Sequence, residues 1–118
     1  MESSTKAPER SPDGILLDQL AGSGSDLSKL HQFEFTLRFP SQSAAERAEL
    51  QLLGLAFKTK MEPGKTAEER VLRGTKVMYP LEPDLQGLRE KLNTIAAGAR
   101  GVYEGWKARV NPSAGRNP

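Results

Sequence analysis

The chain has 118 residues, a formal net charge of +2, 36% apolar and 27% charged residues. This composition is typical of one small folded domain rather than of a disordered chain, and the slight positive charge permits an acidic partner without requiring one. The absence of cysteine excludes disulfides and thiolate metal sites and fits a reducing compartment.

Both ends of the chain have the composition of loose tails. Residues 1–12 and 111–118 hold four of the eight prolines, and polar residues fill much of the rest. The first twelve residues lack the apolar core of a signal peptide, and no apolar run approaches the ~20 residues that span a bilayer. We therefore expect disordered tails at 1–12 and 111–118, a single domain over 13–110, and a cytoplasmic location.

The first predicted elements are a helix and a strand. Ser11 followed by Pro12 is a typical helix start, and a Gly and Ser-rich stretch ends that helix near residue 22. Residues 31–39 then alternate strictly, with the apolar side chains on one face, which predicts a half-buried strand. His31 opens this strand without a neighbouring metal ligand, so we expect it to be solvated.

A second helix and strand follow. Pro40 ends the first strand, and Ser43 with Glu46 forms a capping-box pattern for a helix that ends at Gly54. Residues 55–61 alternate again and predict a second strand, which ends at a turn over residues 62–65.

The last third of the chain predicts a strand, a helix and a strand. Residues 70–79 form the third strand, which Gly74 is expected to interrupt. The next stretch has the clearest helical periodicity, and residues 102–110 form the fourth strand. The apolar residues at helical spacing are Leu85, Leu88, Leu92, Ile95, Ala96 and Ala99.

The order of these elements predicts an α+β fold. A β-α-β-β-α-β order after an N-terminal helix is typical of the ferredoxin-like sandwich, in which two helices cover one face of a four-stranded antiparallel sheet. The other face is then open and should carry the polar residues of each strand. We expect Glu34, Thr36 and Lys76 there together with the basic residues predicted to bind a partner. These are Arg38, Lys58, Lys60, Lys107 and Arg109.

Three interpretations of this basic face stay open. It could be a solvated charged surface, a binding site for a protein, or a binding site for RNA. Sheets that bind RNA usually present exposed aromatic residues for base stacking, whereas the alternation here turns Phe33 and Phe35 inward. An acidic peptide or a second copy of the domain, forming a homodimer through the open face, would suit the charge better.

The segment from Tyr103 to Trp106 contains the only tryptophan. Trp106 could anchor a partner, but strand alternation with Val102 favours a core position in which the indole N–H needs an acceptor. Gly105 is expected at a bend or bulge. Glu104 shares the parity of Trp106, so we expect a bulge to redirect it or a basic neighbour such as Arg73 to pair with it.

Nothing in the sequence assembles a catalytic site. His31 is the only histidine, and the carboxylates Asp13 and Asp18 do not have the spacing of a cation loop. The stretch Gly22 to Ser25 lacks the lysine and following helix of a phosphate-binding loop. We therefore expect a binding protein with no catalytic residue, no cofactor and no metal site.

Several segments resemble one family when taken in order. They are Asp13 to Leu20, Gly24 to Asp26, the Phe-rich strand ending in Phe39 and Pro40, Ala44 to Gly54, and the motif Tyr103, Glu104, Gly105 and Trp106. Together they resemble the bacterial regulator of ribonuclease E activity B family over residues 13–110. The resemblance implies a ferredoxin-like fold and a non-catalytic inhibitor of ribonuclease E, which would modulate RNA decay by protein binding. Typical members are strongly acidic, whereas this chain is mildly basic.

Overall fold

Three helices and four strands follow one another along residues 11–112, the part of the chain that the computed structural model describes. The remaining residues of the two predicted tails, 1–10 and 113–118, lie outside the described residues. No helix within 11–112 has the length and hydrophobicity that a bilayer crossing requires. The elements are α1 (Pro12–Gly22), β1 (His31–Phe39), α2 (Gln42–Gly54), β2 (Lys58–Pro63), β3 (Arg70–Met78), α3 (Glu82–Gly98) and β4 (Val102–Ala108).

The four strands form one sheet in the order β2-β3-β1-β4, and every neighbouring pair is antiparallel. This order places the sequence-distant strands β1 and β3 at the centre and leaves β2 and β4 as edges. It is the arrangement expected of a ferredoxin-like α+β sandwich, so that prediction is confirmed. The additional helix α1 packs against α3.

The core lies between the sheet and the helices. Phe33, Phe35 and Leu37 of β1 are fully buried, as the alternation predicts. The Phe33 ring meets Trp106 edge-on at a centroid distance of 5.0 Å, and Phe35 meets Phe57 in the same way at 5.4 Å. Burying each such side chain contributes about 1.5–3 kcal/mol, and the edge-on ring contacts add to this stabilisation.

Serine side chains cap the first two helices. The Ser11 hydroxyl accepts a hydrogen bond from the Gly14 amide at 3.0 Å, which confirms the predicted cap of α1. The cap of α2 is Ser41 rather than the predicted Ser43, because Ser41 is the extended residue before the helix while Ser43 already lies in its first turn. The Ala44 amide donates to the Ser41 hydroxyl at 3.2 Å.

The link between α2 and β2 is tighter than predicted. Ala56 adopts a left-handed φ of 69°, and the Phe57 amide donates to the Leu52 carbonyl at 3.1 Å, so β2 begins at Lys58 rather than at residue 55. Gly74 was predicted to interrupt β3, but the strand continues through it. A Cβ at Gly74 would lie 2.8 Å from the Leu52 side chain, so glycine is needed there to let α2 approach the sheet.

A bulge shifts the register between β1 and β4. Thr36 faces Gly105 and Leu37 faces Tyr103, so Glu104 is the extra residue. Gly105 adopts a φ of 114°, which L side chains rarely adopt. The predicted bulge is confirmed, but its register exposes Val102, which was expected on the covered face.

His31 is buried, so the prediction of a solvated histidine is wrong. Its Nδ1 contacts the Lys29 carbonyl at 2.8 Å, and its Nε2 contacts the Ser25 hydroxyl. The Asn111 amide donates to the same hydroxyl at 2.8 Å, and the Asn111 carbonyl accepts from the Asp26 amide at 2.8 Å. The loop before β1 is thus tied to the segment after β4, and its contacts extend past the predicted boundary at residue 110.

Candidate functional site

The open face is the side of the sheet that points away from Phe33 and Phe35. Its central positions are the half-buried polar residues Glu34, Thr36 and Arg38 of β1. The described part of all three helices contributes to the core on the opposite side. Aromatic residues are absent from the outward positions of β1, as the alternation predicted.

The predicted partner-binding residues share this face. The strand register places Arg38, Lys58, Lys60 and Lys107 on its outward side. Arg109 follows the end of β4 and lines a shallow pocket with Gln32, Glu34 and Lys107. The structure therefore brings the five predicted residues onto one surface, and binding through that surface stays a prediction.

Lys76 lies on the covered side of the sheet, so its predicted place on the open face is wrong. It is directly opposite Phe33 in the β1–β3 register and therefore has the parity of the core. Its ammonium group donates to the Leu55 carbonyl at 2.9 Å and lies 5.1 Å from the centre of the Phe57 ring.

The open face carries carboxylates as well as cations, so describing it as basic was incomplete. The Arg38 guanidinium donates from Nε to Glu104 at 2.8 Å and from Nη1 to Glu69 at 3.2 Å. The hydrogen bond between Arg38 and Glu104 lowers the pKa of Glu104 and raises the pKa of Arg38. The predicted partner of Glu104 was Arg73, but the bulge places Glu104 beside Arg38 instead.

Arg73 is held by a second group of acceptors. Its Nε donates to Glu62 at 2.9 Å, and its Nη1 donates to the Thr36 hydroxyl at 3.0 Å. A looser contact of 3.8 Å joins the same guanidinium to Glu34. The hydrogen bond from Arg73 lowers the pKa of Glu62. Arg38 and Arg73 are therefore fixed in position by carboxylates.

These ion pairs divide the open face into two ends. Near the end of β1, Arg38 and Arg73 are matched by carboxylates of the neighbouring strands and loop. Near the start of β1, Lys58 and Arg109 have no ion pair with any residue between 11 and 112, and Lys107 reaches Glu34 at 3.4 Å while remaining 77% exposed. The uncompensated positive charge is concentrated at the start of β1.

Trp106 lies in the core, as predicted, and its indole N–H has an acceptor. It donates to Oδ1 of Asp13 at 3.0 Å, and Oδ2 of Asp13 accepts from Nε of Arg89 at 2.8 Å. Asp13 is only 1% exposed. Sequence analysis missed the roles of Asp13 and Arg89. An acidic residue in the first turn of a helix predicts only an interaction with the helix dipole.

Tyr103 also faces the core, because the bulge turns both aromatic residues of the motif inward. Its hydroxyl is buried and has no hydrogen-bond partner among the described residues. Burial raises the pKa of this hydroxyl, with a further contribution from the Asp13 carboxylate. The tyrosine and tryptophan of the motif therefore serve packing, while Glu104 and Gly105 reach the open face.

One contact resembles a nucleophile beside a base. The Ser25 hydroxyl lies 2.5 Å from Nε2 of His31, a pairing that sequence analysis did not find. The same oxygen accepts from the Asn111 amide, and both side chains are buried, so the pair joins three segments of chain. Within residues 11–112, no three His, Asp or Glu side chains lie close enough to hold a metal ion.

A comparison with models of protein families gives a match. The model of the family RraB, described as regulator of ribonuclease activity B, matches residues 11–108. No curated protein matches the chain. The matched range begins at Ser11, the cap of α1, and ends at Ala108, the last residue of β4. It therefore includes the whole sheet and the buried contact between Asp13, Arg89 and Trp106.

Proposed function

The chain belongs to the regulator of ribonuclease activity B family, and we propose that it regulates ribonuclease E by binding the enzyme through the open face of its sheet. Membership of this family implies regulation of ribonuclease E activity, and the family is one of regulators rather than of catalysts. The proposal adds the mode of action, which is protein contact without a chemical step on this chain.

The observation that carries the proposal is the ordered charge on an uncovered sheet face. Arg38 and Arg73 are held at fixed positions by short ion pairs, so they lose little side-chain freedom when a partner approaches. Lys58 and Lys60 project beside them from the edge strand β2. Charged groups arranged in this way favour fast and specific association with a surface of complementary charge.

The same face is poorly suited to RNA. Its central strand presents Glu34, Thr36 and Arg38 outward, which offers no aromatic platform for bases. Glu34 and Glu62 would also repel phosphates. Protein binding is therefore the function that this geometry supports best.

A charge reversal on β2 tests the proposal. The full chain and its Lys58→Glu/Lys60→Glu variant are titrated against purified ribonuclease E, and cleavage of a labelled RNA is followed in parallel. We expect the variant to bind about tenfold more weakly, because two favourable charge contacts become repulsive, and to inhibit less. Both lysines are exposed, so circular dichroism should show an intact fold.

The matched control carries the same change of charge elsewhere. Arg47→Glu/Lys91→Glu alters two exposed residues on α2 and α3, away from the open face, and should bind and inhibit like the wild type. Equal binding by the two double variants would contradict the proposal. Submicromolar RNA binding at physiological salt that is lost only in the β2 variant would show instead that the face binds RNA.

A further inference from the structure

We propose that one end of the open face is a docking site for an extended acidic peptide segment that carries an apolar side chain between its carboxylates. This proposal depends on the proposed function only for the identity of the larger partner. The site, which we call the basic end, lies where β1 starts. Its residues are Gln32, Lys58, Thr75, Val77, Lys107 and Arg109.

The register arranges the basic end as two rows across the sheet. Lys58 is opposite Thr75, Thr75 is opposite Glu34, and Glu34 is opposite Lys107. This row spans all four strands, so the backbones of its two lysines are about 14 Å apart at the usual strand spacing. In the adjacent row Val77 is opposite Gln32.

The charge of this end differs from that of the rest of the face. One carboxylate, that of Glu34, lies in the row between Lys58 and Lys107. It pairs with Lys107 at 3.4 Å and lines a pocket together with Arg109. At the opposite end an incoming carboxylate would have to displace Glu104 from Arg38 or Glu62 from Arg73. On the open face, the two cations without an ion pair to any residue between 11 and 112, Lys58 and Arg109, therefore both lie at the basic end.

The basic end also has an apolar centre. Val77 is 58% exposed, and it lines a concave surface with Gln32, Lys58 and Thr75. Leu30 and Tyr79 are half exposed as well. They flank the terminal β1–β3 pair, because Leu30 precedes His31 and Tyr79 follows Met78. An apolar side chain of the partner would remove this surface from water, which a phosphate backbone cannot do.

The spacing of the cations defines the segment that fits. An extended chain advances about 3.3 Å per residue, so carboxylates about four residues apart match lysines about 14 Å apart. The residue between them would then lie over Thr75 and Glu34, and Val77 in the adjacent row is about 7 Å away along the strand, so an apolar side chain that leans toward the start of β1 can contact it. The site therefore fits an extended peptide segment in which an apolar side chain lies between two acidic ones.

A titration with a defined peptide tests the site. The probe is acetyl-Asp-Glu-Ser-Leu-Ser-Glu-Asp-amide, added to the full chain labelled with ¹⁵N. We expect saturable amide shifts at Gln32, Thr75 and Val77 and none along α2 or α3. Lys58→Ala and Arg109→Ala should each weaken binding by up to about fivefold, as expected for exposed ion pairs. Val77→Ser should also weaken it, whereas Lys91→Ala on α3 should not.

Two altered peptides separate charge from apolar contact. Replacing the leucine by serine should weaken binding, and replacing all four acidic residues by lysine should abolish it. Shifts centred on Arg38 and Arg73, or the absence of saturable shifts with the acidic peptide, would overturn the proposal. Equal binding of a single-stranded RNA oligonucleotide at the same residues would also overturn it in favour of a phosphate site.

The test distinguishes this proposal from the proposed function. If the acidic peptide gives no saturable shifts at the basic end while Lys58→Glu/Lys60→Glu loses ribonuclease E binding, the peptide site is wrong and the proposed function stands. If the peptide binds at the basic end but the chain neither binds nor inhibits ribonuclease E, the proposed function is wrong and the peptide site stands.

Discussion

Asp13 in the first turn of α1 accepts a hydrogen bond from the indole nitrogen of Trp106 in β4, 93 positions later in the chain. The second oxygen of the same carboxylate accepts from Arg89 in α3. One buried side chain thus joins the first helix, the last helix and the last strand. The first and the last segments that resemble the family contain Asp13 and Trp106, so they meet at this contact. The contact gives these two residues a structural role in the fold that does not depend on a partner.

Removing this carboxylate should destabilise the fold. Asp13→Ala leaves the indole N–H of Trp106 and the guanidinium of Arg89 without their acceptor, and we expect a loss of about 2–4 kcal/mol in the free energy of unfolding measured with urea. Asp13→Asn should lose less, because its amide oxygen can still accept one bond. Glu90→Gln, at an exposed position of α3, is the control and should stay within about 0.5 kcal/mol of the wild type. An Asp13→Ala variant as stable as that control would contradict the role assigned to Asp13.

The apolar stripe of α3 gives a second prediction. Leu92 is fully buried, so Leu92→Asp places an unpaired charge in the core and should cost several kcal/mol, enough to unfold a domain of ordinary stability. Thermal unfolding followed by circular dichroism measures the effect. Leu50→Asp is the matched control, because Leu50 of α2 is 70% exposed and its replacement should leave the midpoint almost unchanged. A cooperative melt of Leu92→Asp near that of the wild type would show that α3 does not pack as described.

The ion pair between Arg38 and Glu104 predicts a pH dependence. The hydrogen bond from Arg38 lowers the pKa of Glu104 below its ordinary value of 4.5 in the folded chain. The stabilisation is therefore present above that ordinary value and is lost as the pH falls through the lowered one. Urea midpoints from neutral pH down to about pH 3 should show that Glu104→Gln is less stable than the wild type near neutrality and equal to it in acid.

The control for this series is Glu68→Gln. Glu68 is exposed in the loop before β3 and has no hydrogen bond within the described range. Its variant should follow the wild-type curve at every pH. A constant difference between Glu104→Gln and the wild type across the whole range would rule out a contribution from the charge of Glu104.

The boundaries of the domain can be tested by truncation. We propose that residues 11–112 fold without the rest of the chain, and we expect their thermal midpoint to match that of the full chain. A chain ending at residue 109 should melt earlier, because it lacks the four hydrogen bonds that tie Asn111 and Pro112 to the loop before β1. Equal midpoints for the two truncated chains would show that these bonds contribute nothing measurable.

Most of the fold could be predicted because its elements are encoded locally. Residues 31–39 alternate over enough positions to exclude a helix. The apolar stripe from Leu85 to Ala99 has helical spacing over enough positions to exclude a strand. Strand limits were less predictable where local geometry departs from regularity. The left-handed Ala56 shortened β2, and the parity of Lys76 could be assigned only once its partner Phe33 was known.

The candidate site was predictable in its residues but not in its charge balance. Side-chain alternation placed Arg38, Lys58 and Lys107 on the open face. It could not show that carboxylates of β2, β4 and the loop before β3 neutralise one end, because those pairings join residues 11 to 66 positions apart. The burial of His31 was missed for the same reason, since its environment includes Asn111 after β4.

The extra residue in β4 reverses which side of the sheet the following side chains face. Tyr103 and Trp106 are three positions apart, a separation that in a regular strand would send one ring to each side, and only the bulge at Glu104 and Gly105 allows both to point inward. Deleting Glu104 would leave the two aromatic residues two positions apart, so both rings could point inward from a regular strand, and the chain would lose the outward carboxylate that pairs with Arg38. The extra residue is therefore not needed to bury the two rings; it adds the Glu104 carboxylate that holds Arg38 in place on the open face.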